Sequence, residues 1–384
     1  MNFVAIKMLM GDRAKYLGIV TGLTFASLLI TQQAAIFVGV MQRTYGLITD
    51  IGQPDIWVMD PRVQYVDDPK PVNTTELYRV RGIPGVEWAV PMFRNMIRAR
   101  LRTGAFQQCL VVGIDDATLV GGPAQMTEGR LADLRRNEGV IINVAGATTR
   151  LATPGPDGKS VPLRVGDSLE INDHRAIVVG LCETTRTFQS QPVVYTTFSR
   201  AMSFAPFERK LMNYVLVKAQ PGVDQLELCR RIREHTDLSA YTRDEFKWIS
   251  MVYYLKYTGI PLNFGIAVVL GFIVGAAIAG QTFHNFTQDN LRYFGALKAM
   301  GATTGMLLRM ILLQSLTVGA IGYGLGVGAA SVIGALAKDT ELSFFMPWQL
   351  LLISAGTVLL ICMFAATISM VKVIRLEPAI VFKS

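Results

Sequence analysis

The chain has 384 residues, of which 51% are hydrophobic and 17% charged, and its formal net charge is +8. Soluble proteins carry roughly 25% charged residues, so this chain is short of the polar surface that covers a globule in water, which argues against a cytosolic enzyme. Its 35 Gly, 17 Met and 3 His point the same way: glycine is commoner in membrane helices, and scarce histidine limits metal and acid–base chemistry.

Apolar stretches at residues 17–41, 260–283, 306–337 and 348–373 are each long enough to cross a hydrocarbon core, which takes about 20 helical residues. In lipid the backbone must satisfy its own hydrogen bonds, so each stretch is expected to be a helix. The expected fold is therefore an α-helical membrane protein with four transmembrane helices, and a large α+β extracytoplasmic domain inserted between helices 1 and 2. The first stretch exceeds the apolar core of a signal peptide, carries Gln32 and Gln33, and is followed by no small-residue cleavage site, so it is expected to remain as an anchor.

Residues 42–256 form the domain. They hold 27 of the 37 basic and 24 of the 29 acidic residues, a near balance that gives no nucleic-acid footprint. The rest of the basic excess lies beside the membrane helices. Lys7, Arg13 and Lys15 precede the first, Arg292 and Lys298 follow the second, and Lys372, Arg375 and Lys383 end the chain, whereas Lys338 faces Asp339 and Glu341 after the third. Basic residues favour the cytoplasmic side in short loops, so both termini are expected in the cytoplasm and the domain outside, with membrane lipid as the solvent of the spans.

Within the domain, short β-type runs alternate with turn formers at residues 55–59, 86–91, 97–102, 109–114, 139–143, 168–171, 176–181, 193–196 and 214–218. Asn172-Asp173 marks a hairpin turn. Helices are expected at 74–81, with Leu77 and Val80 three residues apart, and at 223–236, with Leu226, Cys229, Ile232 and Arg233 on one face. Cys109, Cys182 and Cys229 fall here and Cys362 in the last span. Their apolar neighbours suggest small buried hydrophobes, and one disulfide is compatible with the spacing.

Motifs for catalysis fail. Gly158-Lys159-Ser160 lacks the upstream glycine of a phosphate loop, where Thr153 stands, and is followed by Val161-Pro162 in place of a helix. His174, His235 and His284 are isolated, without metal-ligand spacing, and no GxSxG elbow occurs. No catalytic, cofactor or metal residue is therefore assigned. The spans carry almost no interior charge, which argues against an ion pump or secondary transporter. Gly271/Gly275 in the second span, and Gly322/Gly326 and Gly324/Gly328 in the third, have the GxxxG spacing that lets helix backbones approach, in a dimer seam or within one subunit.

The loop between the second and third spans is the informative segment. From residue 288 to 300 most residues favour a helix, with Leu291, Phe294, Leu297 and either Lys298 or Met300 on one side and Gly301 as its C-cap. A short amphipathic helix of this kind offers apolar knobs to a partner's groove or rests in the headgroups.

The run FGALKAMGAT, from Phe294 to Thr303, resembles the EIGxLKA[LM]GA signature of ABC transporter permeases of the MacB/FtsX type. The likeness extends over nearly the whole chain, through RGIPGVEWAVP, VVGIDDATL, EGRLADLRRNEGVIIN, VGDSLEI and VKAQPGVDQLELCRRIRE to a tail around Pro378-Ala379. The acidic residue usual before the signature's Ile-Gly is replaced by Tyr293. The aromatic Phe294 and the Lys298-Ala299-Met300 core look most similar to the DevC-like branch, which lacks a fused ATPase.

The resemblance implies a layout along the chain. A cytoplasmic amphipathic helix occupies 1–16, spans occupy 17–41, 257–284, 306–337 and 348–373, the domain 42–256 and a cytoplasmic coupling loop 285–305. A short outer loop takes 338–347 and a cytoplasmic tail 374–384. It further implies a homodimer in the bacterial inner membrane, with ATP and Mg bound by a separate cytoplasmic ABC ATPase, and with a periplasmic adaptor and outer-membrane duct as further partners. The coupling helix would place Arg292, Tyr293, Phe294, Leu297, Lys298 and Met300 against that ATPase, shaped by Gly295 and Gly301. The implied role is a non-enzymatic permease that turns ATP hydrolysis into motion of the outer domain, moving a hydrophobic or periplasmic substrate outward. The alternatives are an FtsX-like regulator of cell-wall hydrolases and a membrane-anchored sensor or scaffold.

Overall fold

The computed structural model describes residues 2–155, 159–206, 211–337 and 340–374. The tail around Pro378, the Lys338-Asp339 pair and Gly158 of the Gly-Lys-Ser triplet lie outside the described residues. Two compact units emerge, one made of residues 1–40 and 259–384 and the other of residues 41–258.

The chain opens with α1 (Asn2–Gly11) and α2 (Arg13–Arg43), separated at Asp12. Next come α3 (Gly46–Asp50), β1 (Ile56–Met59), α4 (Thr74–Arg81), β2 (Val86–Arg100), β3 (Phe106–Ile114), β4 (Gln125–Glu128) and β5 (Gly139–Asn143). After these follow α5 (Val144–Thr148), β6 (Thr153–Pro154), β7 (Ser160–Val161), β8 (Ser168–Ile171), β9 (His174–Glu183) and β10 (Val193–Thr197). The second unit finishes with α6 (Phe198–Phe204), β11 (Tyr214–Ala219), α7 (Gln225–His235), β12 (Ser239–Thr242) and α8 (Arg243–Tyr257). Helices α9 (Ile260–Asp289), α10 (Leu291–Ala299), α11 (Thr304–Leu336) and α12 (Trp348–Ile374) complete the first unit. Among the described residues four helices, α2, α9, α11 and α12, are long and apolar enough to cross a membrane, and the α+β unit is inserted between the first and second of them.

The inserted unit is organised by β2. Its first half, from Val86 to Met92, pairs antiparallel with β11, while Phe93 to Arg100 pair with β3. The sheet therefore runs β12-β1-β11-β2-β3-β10-β5-β9-β4. Because β8 pairs with both β2 and β9, strands β2, β3, β10, β5, β9 and β8 close into a ring. All six ring strands contribute to one cluster, including Ile97, Val111, Val140, Leu169, Val178 and Val194. A cluster fed by every strand of a closed ring is its interior.

The opposite face of β2, β3 and β10 supplies Met92, Leu110, Val112 and Tyr195, which pack with Trp57, Ile48 of α3 and Phe246 of α8. A third cluster joins β1, β2 and β11 to α4 through Leu77 and Val80, and to α7 through Leu228, Cys229 and Ile232. Leu226, expected on that inner face, is exposed. Asp224 caps α7 and accepts from the Leu226 N–H, so Leu226 sits in the first turn, off the buried stripe. All four cysteines are free and buried, which rules out the disulfide among the three of this unit. Burial pushes the thiols of Cys109, Cys182 and Cys229 up to about 12. The Gly-Lys-Ser region is flanked by the paired β6 and β7, with Thr153 opposite Val161.

In the helical unit, α2 is held between α9 and α11. A Cβ on Gly275 would meet the Ala26 Cβ at 2.4 Å, and one on Gly326 would meet Ser27 Cβ at 2.6 Å and the Thr24 carbonyl at 2.8 Å. Gly271 lies against Leu29 and Ile30, and Gly322 against Leu23. These four glycines make contacts within one chain, whereas Gly324 and Gly328 face open space.

Candidate functional site

The segment between α9 and α11 is one short helix with a defined start and stop. Asn290 ends α9, its side chain donating to the Phe286 carbonyl at 2.8 Å, and the break lets α10 begin at Leu291. The helix is thus separate from α9, where the sequence suggested a start at residue 288. At the other end the Ala302 N–H donates to Leu297 O and the Gly301 N–H to Lys298 O. This is the Schellman arrangement, which needs a left-handed residue, and Gly301 supplies it at φ +95°.

Which face of α10 is free differs from the sequence-based expectation. Phe294 is 0% exposed and packs with Ala5 of α1, Leu307, Met310 and Ile311 of α11, and Ala366 and Val373 of α12. Leu291 and Leu297 pack against the same cluster, and Gly295 is buried beside Phe294. The apolar stripe is therefore covered by the chain's own helices, with Phe294 and Gly295 buried where the sequence reading places Phe294 on the outward face. The outward side consists of Arg292, Tyr293 at 64% exposure and Met300 at 75%, with Lys298 half-buried.

Two further ties brace this end of the unit. Gln314, fully buried in α11, donates to the Ala5 carbonyl at 2.8 Å and pins α1. Lys15 at the start of α2 pairs with Asp289 at the end of α9, and with Asp12 at 2.8 Å. Neither tie was read from the sequence. A polar Gln314 within an apolar span is the available signal, but its partner is a backbone carbonyl that no residue pattern encodes. Helix α1 also departs from the expected amphipathic form. Lys7 is its charged side chain, and apolar residues lie on both its buried side, at Ala5 and Leu9, and its exposed side, at Phe3 and Met10.

Two family models match the chain: the MacB-like periplasmic core domain over residues 17–235 and the FtsX-like permease C-terminal over residues 265–378. An uncharacterized ABC transporter permease of Methanocaldococcus jannaschii is 25% identical over 205 residues, 49% of this chain and 50% of that protein. The permease protein HrtB of Staphylococcus haemolyticus is 25% identical over 119 residues, 31% of this chain and 33% of that protein. The matched stretch thus spans half of the first relative's length and a third of the second's. Among solved structures, the periplasmic region of MacB from Actinobacillus actinomycetemcomitans matches at 14% identity with a TM-score of 0.39, covering 52% of this chain and 94% of that one. The two matched family regions succeed one another along the chain and the first alone covers more than half of it, so this multi-pass membrane protein belongs to the MacB/FtsX family of ABC transporter permeases.

Proposed function

We propose that the chain is the membrane subunit of an ABC complex in which a separate cytoplasmic ATPase binds ATP and Mg and drives the permease. In this reading both termini and α10 lie in the cytoplasm and the inserted domain outside it. Two copies of the permease work together, and the stroke moves a hydrophobic or extracytoplasmic substrate outward. The observation that carries the reading is α10. Its exposed Arg292, Tyr293 and Met300 form a small mixed basic, aromatic and thioether surface, while Phe294 fixes the helix to α1, α11 and α12. Arg, Tyr and Met are the residue types enriched where proteins dock. A helix anchored on three neighbours also moves them when pushed, as a loosely tethered loop would not.

The test is co-purification in mild detergent of the full chain with the ATPase subunit expressed beside it. Arg292→Glu combined with Met300→Asp is expected to abolish ATPase association while leaving a monodisperse, folded permease, because both side chains are exposed. Undiminished ATPase association and turnover in that variant would overturn the assignment of α10.

A further inference from the structure

The inserted domain contains a small chamber outside the ring, between α3, the loop after β1, β2, β10 and the linker that follows β9. Its free volume is about 20 Å³, and one water needs roughly 10–15 Å³ on that measure. Three of the residues that line it carry buried polar atoms without a hydrogen-bond partner in the protein: Arg94 Nε, Tyr195 OH and Thr184 Oγ1. Tyr195 is 0% exposed and Arg94 5%, so bulk solvent does not reach them. Orphaned polar groups in such a place are costly, and native proteins pair them.

The charges around the chamber decide what pairs them. Asp50 and Asp67 line it, which disfavours an anion, and Arg43, Arg94 and Arg186 line it, which disfavours a cation. Each of these five already has an interaction partner in the protein. Asp67 pairs with Arg94 and accepts from Tyr254 OH at 3.2 Å, and Asp50 accepts from the Thr185 N–H and hydroxyl, each at 2.8 Å. What remains is a mixture of one obligatory donor, Arg94 Nε, and two hydroxyls that both donate and accept. A neutral species that accepts and donates at once satisfies this set.

We infer that the chamber is a binding site for a single resident water, shared by Arg94, Tyr195 and Thr184. That water joins β2 and β10 of the ring wall to the linker beside Asp50, in the segment that directly follows α2. It supplements the direct Asp50–Thr185 hydrogen bonds and completes a joint that protein atoms alone leave unsatisfied.

The sign of a stability change tests this in the full chain in detergent, with thermal unfolding followed by intrinsic fluorescence. If the water is present, Tyr195→Phe and Thr184→Val each remove one of its partners and lower the midpoint, by roughly 2–4 °C for a domain of this size. The double variant then loses less than the sum, because both side chains serve one molecule. Thr184→Ser keeps the hydroxyl and is expected to stay near the wild-type midpoint. A dry chamber predicts the reverse, since deleting an unsatisfied buried hydroxyl relieves a penalty. A raised or unchanged midpoint for Tyr195→Phe overturns the inference.

Discussion

Asp50 accepts two hydrogen bonds from Thr185, yet burial outweighs them and holds its carboxyl above the usual carboxylate value. A carboxyl that binds its proton more tightly in the folded than in the unfolded state contributes stability that is fully present below the unfolded value. That contribution is lost as pH rises through the folded one. Asp50→Asn cannot titrate and is therefore expected to remove that decline, so that unfolding midpoints of the variant gain on those of the wild type as pH rises from about 3 to 7. Other single residues were legible in the sequence because the backbone demands their type. Asn172 and Asp173 adopt φ of 49° and 63° in the β8–β9 hairpin, a turn that favours these two side chains. Gly301 is legible for the same reason. Leu226 was misplaced because a residue's orientation depends on where its helix starts, and Asp224 sets that start.

At the scale of elements, β2 shows why two apolar runs were seen where there is one strand. Pro91 interrupts the pattern and has no N–H to give a ladder. It is tolerated because the first half of β2, up to Met92, pairs with β11, while pairing with β3 begins at Phe93. Helix α8 falls in a stretch over which no element is expected from the sequence; its start is set by Thr242 and Glu245, which form a capping box, each side chain bonding the other's backbone N–H. That signature is visible in the sequence as T-x-x-E. Helix α10 makes a mechanical prediction. Phe294→Ala removes an aromatic ring from a fully buried position, a class of change that costs roughly 3–5 kcal/mol. The expected result is accelerated amide exchange confined to Leu291–Ala299 and the adjoining α1, with α9, α11 and α12 still protected. Uniform loss of protection across all four long helices would show that α10 is not a locally docked element.

At the scale of the whole molecule, equal sequence spacing conceals unequal roles. Gly322 and Gly326 meet α2 at distances that leave no room for a Cβ, whereas Gly324 and Gly328, two residues along, face open space. Gly326→Ala is expected to destabilise the helical unit by roughly 1–3 kcal/mol, the usual range for overpacking, through its clash with the Thr24 carbonyl. Gly328→Ala is expected to leave the thermal midpoint of the detergent-solubilised chain unchanged. The reverse order would mean that α2 and α11 pack through other faces.

The amino-acid sequence by itself determined the class of the protein. Four apolar runs, one long polar insertion with turn-punctuated β-type runs, and a family signature after the second span are local or additive properties of the chain. Lipid and backbone chemistry leave such runs few alternatives. Tertiary structure alone decided how those pieces use their surfaces. The closure of the ring by β8, the docking of α10 through Phe294, the hold of Gln314 on α1 and the convergence of Arg94, Tyr195 and Thr184 all join residues far apart in the chain. Such contacts depend on which face of an element meets which neighbour. Periodicity shows that a face is apolar, and packing selects the neighbour that covers it.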